Sequence, residues 1–137
     1  IFWIGFLISN ELSDSYENDF KVYAQTNAGV DWSSIPNSQF SKYAANVGNE
    51  MNFNDYNELR SQVGLSTYPE GIGYEWDWND NNSNRFRYDK LRNKSGQLSK
   101  LNNYIAASLL INRLVSAFYV LNIKKNKGDP GHKYINK

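Results

Sequence analysis

The sequence predicts an all-α chain: long antiparallel helices rooted in a membrane, with a small helical domain on the water side between them. Three observations predict it. Apolar residues recur at helical spacing over most of the chain, the stretch 82–126 contains no proline, and the chain opens on an apolar run and closes on a longer one, residues 104–123.

Composition narrows what such a chain can do. Its 137 residues are one domain's length, and 40% hydrophobic content with 15% aromatics suffices for a core. Cysteine is absent, which excludes disulfides, thiol catalysis and cysteine-ligated metals. His132 is the only histidine, so neither a histidine-based triad nor a multi-histidine metal site can be assembled. No cofactor is expected. The net charge of +1 hides a split: residues 10–103 carry thirteen acids against nine bases, whereas Lys124, Lys125, Lys127, Lys133 and Lys137 face Asp129 alone in the tail. An acidic middle argues against nucleic acid as a partner, because phosphate neutralisation needs a basic face. A basic block directly after an apolar helix is the pattern of a membrane flank.

The first element is read from "IFWIGFLIS". Residues 1–9 form the end of an apolar, membrane-embedded helix, and the start without Met is treated as a cut edge. From Ser9 the apolar residues fall at Leu12, Tyr16, Phe20, Tyr23 and Ala24, with Asn10, Glu11, Asp14, Glu17, Asn18 and Lys21 on the other faces. One helix therefore begins among apolar groups, ends half in water, and stops near Gly29. Pro36 and Asn37 open a short amphipathic run through Phe40, Tyr43, Ala44 and Val47, closed by Gly48. A third run, "YNELRSQV", has Asp55 and Glu58 as a capping box and Gly64 as its stop. "STYPEGIG" is turn material.

The last third carries one long helix with a single interior glycine, Gly96, at which it can bend. On a wheel of about 100° per residue, Leu91, Leu98, Leu101, Ile105, Leu109, Asn112, Ser116, Val120 and Ile123 share one stripe. The opposite side reads Arg85, Asp89, Asn93 and Lys100 before position 101, and Tyr104, Ala107, Ile111, Leu114, Phe118 and Leu121 after it. A helix lying on a water-soluble core keeps a polar back along its whole length. This one loses it.

About 20 residues at 1.5 Å each span a hydrocarbon layer of roughly 30 Å, which matches residues 104–123 as a C-terminal membrane helix. Residues 10–103 are then an acidic helical water-side domain, and 124–137 a basic, mobile tail. The opposing reading is a soluble bundle with both apolar stretches in a central hairpin. It draws on the mean hydropathy of −0.68 and on Arg113, since an arginine near the middle of a span costs roughly 2.5 to 3.5 kcal/mol on insertion scales.

Candidate sites follow from three clusters. Asn112, Arg113 and Ser116 continue the helix's inner stripe, and intramembrane polar groups normally face protein, so these residues are expected to meet another membrane chain, with lipid covering the outer side. Tyr74, Trp76 and Trp78 alternate along "YEWDWNDNNSN" and would share one face of an extended segment, a platform on which a sugar ring could stack. Asp77, Asn79, Asn81 and Ser83 fit the alternating oxygen ligands that open a calcium loop, but that loop's sixth position is Asn82 instead of Gly and its twelfth is Tyr88 instead of Glu. The simplest account of the stretch is structural: its rings plug the water-side end of the bundle, and Asp80 or Asn82 caps the long helix.

"LINRLVSAFYVL", preceded by "YEWDW" and "YDKLRNKS", resembles an uncharacterised bacterial family of small envelope proteins, a domain-of-unknown-function family. The likeness covers residues 2–125, with "DFKVYAQTNAGVD" and "NDYNELR" in matching places, while the family's Pro-Gly-x-Gly-Gln segment is missing. The resemblance implies envelope location and helical architecture and assigns no catalytic residue. A cleaved signal followed by two spans would put the middle domain inside, whereas the lysine-rich tail puts it outside, in the periplasm. The expectation is a non-catalytic accessory or scaffold subunit of a membrane assembly. The alternative is an extracytoplasmic binding module for a glycan or a divalent cation.

Overall fold

The computed structural model describes residues 2–128, which are mainly helical and contain no strand: α1 (Phe2–Ala28), single 3-10 turns at Trp32–Ser34 and Asn37–Gln39, α2 (Phe40–Asn49), α3 (Phe53–Gln62) and α4 (Asn82–Lys127). The turn and mobile sequence expected over 129–137, His132 included, lie outside the described residues.

Helices α1 and α4 form an antiparallel hairpin, and its seam is written in the sequence at heptad spacing. On α4 the positions turned inward are Asn84, Tyr88, Leu91, Ser95, Leu98, Asn102, Ile105 and Leu109, alternately four and three apart. On α1 they are Phe6, Ser9, Ser13, Tyr16, Phe20 and Tyr23. This is the a/d pattern of a two-helix seam, in which an effective period of 3.5 keeps one stripe facing the partner. A uniform 100° wheel drifts off that stripe. It therefore placed Leu12 and Leu101 inward, and both are nearly half exposed, while their neighbours Ser13 and Asn102 are buried.

The remaining elements pack only on the end of the hairpin where α1 finishes and α4 begins. Phe20, Ala24 and Ala28 of α1, Tyr43, Ala44 and Val47 of α2, Phe53 and Tyr56 of α3 and Tyr88 of α4 close one core around Trp76 and Trp78. The core is dominated by aromatics in edge-on contact, such as Phe20 with Tyr88 at 5.7 Å and Tyr43 with Trp76 at 5.7 Å between ring centres. Their polar tips find main-chain acceptors: the Tyr88 hydroxyl donates to Ala44 O at 2.7 Å and the Trp78 indole N–H to Val47 O at 2.7 Å. The last carbonyls of α2 would otherwise be orphaned inside the fold. Trp78 takes that of Val47, and Arg85 Nη1 takes those of Gly48 and Asn49 at 2.8 and 3.0 Å.

The stops and caps fall close to their expected positions. Gly29 and Gly64 sit at φ +69° and +70°, the left-handed conformation that ends α1 and α3. Gly48 does not close α2, which continues to Asn49. A Cβ at Gly48 would stand 2.7 Å from Asp89 Oδ1, so this glycine lets α2 approach α4. The capping box of α3 is Asn52 with Asp55, three residues ahead of the expected pair: Asn52 accepts from Asp55 N–H and donates to its carboxylate at 2.8 Å in each direction. Asn81, between the two expected residues, caps α4 by accepting from Asn84 N–H.

Beyond the core, α4 is long and apolar enough by length and composition to cross a membrane, and no part of its most apolar 18-residue window is buried. None of the described residues encloses this stretch.

Candidate functional site

Two features distinguish the far end of the hairpin from its packed end. The first is a polar layer in the seam. Ser13 Oγ donates to Ser95 O and Ser95 Oγ returns a bond to Ser13 O, at 3.3 and 3.2 Å, and Asn102 Nδ2 donates to Asn10 Oδ1 at 3.3 Å. Ser9 Oγ and Asn102 Oδ1 are buried without a partner. Small side chains bring the two backbones close, and hydroxyls can bond across the gap. The signal for this layer was the heptad register itself: Ser95 and Asn102 stand seven apart, in phase with Tyr88 and Leu109.

The second feature is a bare apolar surface. Past the polar layer only the first residues of α1 accompany α4. Tyr104, Leu114 and Phe118 expose 73%, 59% and 69% of their surface, and every residue from 110 to 128 is exposed. Exposed isolated leucines are ordinary, but a contiguous apolar sleeve of this extent marks a surface that meets something other than water. At its far end, Lys124, Lys125 and Lys127 occupy the last turn of α4, where positive charge also suits the helix dipole.

The three residues expected to meet a partner are all exposed here. Ser116 Oγ is occupied by Asn112 O at 2.9 Å, one turn back along its own helix. Arg113 lies against Trp3 of α1, its guanidinium carbon 5.7 Å from the ring centre. It makes no hydrogen bond or ion pair among the described residues. Arg113, Trp3, Phe6, Ala106, Leu109 and Leu110 line a groove of about 270 Å³ between the two helices.

The stretch 74–78 is extended, as its alternation predicted, but its rings point inward. Tyr74, Trp76 and Trp78 are all buried, Trp78 to 1% exposure. The segment is tied down by Phe53 N–H to Trp76 O at 2.9 Å and Trp78 N–H to Met51 O at 3.0 Å. A stacking platform needs open ring faces, and these rings stack within the core, so the sugar-platform reading is corrected. Glu75, on the outer side, accepts from the N–H groups of Gly71 and Gly73, which hold its carboxyl below the usual glutamate range. It is therefore suited to remaining ionised and unsuited to acting as a proton donor near neutrality.

Two of the four oxygen-bearing residues, Asp77 and Asn81, are already committed as turn and cap groups. Asp77 Oδ1 accepts from Asn79 N–H at 2.7 Å, and Asn81 Oδ1 from Asn84 N–H at 3.0 Å. Asn79 and Asp80 take the left-handed conformation, φ 52° and 57°, that turns the chain into α4. No cluster of three acidic or histidine side chains suited to a metal occurs among the described residues. Set against known families, curated proteins and solved structures, the chain matches none.

Proposed function

We propose that this chain is a non-catalytic, membrane-anchored protein of the bacterial cell envelope that serves as an accessory or scaffold subunit of a larger membrane assembly. The observation that carries the reading is the unburied apolar sleeve of residues 104–123 on a helix whose earlier half is packed and polar-backed. Twenty residues at about 1.5 Å each match the hydrocarbon thickness of roughly 30 Å. The polar layer of Ser9, Ser13, Ser95 and Asn102 then lies at the water boundary, and the aromatic core forms a cap outside it. Lys124, Lys125 and Lys127 favour the cytoplasmic side, which puts the cap in the periplasm.

The burial of the rings and the engagement of Asp77 and Asn81 within the turn and cap leave the glycan or cation module without an observation of its own. The test of the membrane reading is fractionation. The full chain is expected to sediment with membranes, to resist an alkaline carbonate wash and to dissolve only with detergent. Release by carbonate alone would overturn the anchoring.

A further inference from the structure

Resting on the membrane reading, we infer that the groove between Trp3 and Arg113 receives a transmembrane helix of a different protein, one that carries a carboxylate at mid-bilayer depth and pairs it with the Arg113 guanidinium. Arg113 stands nine residues past the start of the apolar stretch and ten before its end. That is about 14 to 15 Å from either edge at 1.5 Å per residue. The distance exceeds what an arginine side chain can cover by snorkelling, so neither water nor a lipid phosphate is in reach from a straight span. Five N–H donors at that depth need acceptors. Among the described residues they meet only the face of Trp3, at 5.7 Å. A ring face attracts the charge but accepts no strong hydrogen bond.

The missing group is an anion, and the described residues hold none at this level. Residues 104–128 hold no Asp or Glu, and α1 has none before Glu11, eight residues and about 12 Å from Trp3. A second copy packed on the same groove would bring, from its described residues, another arginine and no carboxylate. The occupant is heterologous and acidic. The groove suits it, because Ala106 gives a low wall for close helix approach while Phe6, Leu109 and Leu110 provide apolar sides. An Arg–carboxylate pair formed there is shielded from water on all sides, where charge-assisted bonds are strongest.

The test uses the full chain reconstituted in phosphatidylcholine vesicles at pH 8, labelled with a donor dye through Asn126→Cys, since the chain has no cysteine of its own. Acceptor-labelled leucine-alanine transmembrane peptides carry either Asp or Leu at their centre. Energy transfer should show the Asp peptide binding about tenfold more tightly than the Leu peptide, the scale of polar helix contacts in bilayers. Arg113→Gln and Arg113→Leu should erase the difference, while Arg113→Lys should keep part of it. Equal binding of both peptides, or a preference that survives Arg113→Gln, overturns the pairing. So does transfer between two copies of the chain that outcompetes the Asp peptide, or loss of the preference when phosphatidylglycerol is added, which would assign the groove to a second copy or to a lipid phosphate. A chain that carbonate strips from the vesicles refutes anchoring itself. A chain that stays in them but does not discriminate refutes only the pairing.

Discussion

The two ends of one hairpin, built from the same two helices, are held by different means. At the packed end, α1 and α4 meet α2, α3 and the 74–78 segment, and burial of rings supplies cohesion. At the far end the described residues of the two helices meet only each other, and the last turns of α4 have no described neighbour. The difference does not lie in apolar content, which is higher where nothing packs. It lies in which side chains have protein around them. Apolar surface stabilises a fold only when it leaves water. The same residue type therefore acts as core at Tyr88 and as outer surface at Tyr119.

The sharpest way to break this contrast is to truncate one large ring at each end. Trp78→Ala removes a fully buried indole together with its bond to Val47 O, and should destabilise the cap by about 3–5 kcal/mol. Phe118→Ala removes a ring of similar class that touches no core, and should change the same unfolding transition by less than about 0.5 kcal/mol. Denaturant titration of the detergent-solubilised chain, followed by near-ultraviolet circular dichroism, measures both. Comparable losses from the two variants would mean that the far end packs as a core does.

A second contrast concerns alkali. Burial pushes the Tyr68 hydroxyl up to about 12, against a partial counter-effect of its bond from Asn46, and raises those of Tyr43 and Tyr88 well above the ordinary tyrosine value. A phenol kept protonated by folding contributes its full stability below its unfolded value of about 10 and withdraws it as pH rises past that point. The cap should therefore lose stability steadily above about pH 10. Tyr68→Phe should make that decline shallower without abolishing it, because its phenyl ring has no proton to release while Tyr43 and Tyr88 keep theirs. Unfolding midpoints measured from pH 8 to the alkaline limit would show the slope. A flat profile would contradict the buried hydroxyls.

How much of this was legible in the sequence follows the same division. Glycine and cap chemistry acts locally, so Gly29 and Gly64 announced their helix ends, and the capping residues were missed by only one to three positions. The alternation in "YEWDW" was local as well and correctly gave an extended segment. Which face of that segment is inward depends on α2 and α3 arriving from elsewhere, and alternation carries no such information. The seam was half legible. Leu91, Leu98, Ile105 and Leu109 stood out as apolar, but a wheel weighted by hydrophobicity preferred Leu101 to Asn102 because an asparagine is expected outside. Only the alternating four-and-three spacing around Asn102 could have placed it inside. Arg85 was assigned to a polar back, since nothing local reveals that two carbonyls of α2 end beside it.

Asn102 also allows the smallest and most specific test of the contrast. Its amide donates to Asn10, while its oxygen lies buried and unpartnered, so the side chain carries a desolvation cost that its single bond only partly offsets. Asn102→Leu removes the orphaned oxygen and adds apolar contact. The hairpin should keep its stability, or gain up to about 1 kcal/mol. What should weaken is uniqueness of alignment, because the Ser13–Ser95 pair is then left to oppose a slide by seven residues, at which a heptad seam's apolar positions fit equally well. Disulfide trapping in a chain that has no native cysteine reads this directly. Phe6→Cys with Leu109→Cys, which line the same groove, should cross-link in both backgrounds. Phe6→Cys with Ser116→Cys, one heptad out of step, should cross-link only when Leu replaces Asn102. If the out-of-step product never forms, the aromatic cap and the serine pair hold the register, and the buried asparagine is a cost retained for some other reason.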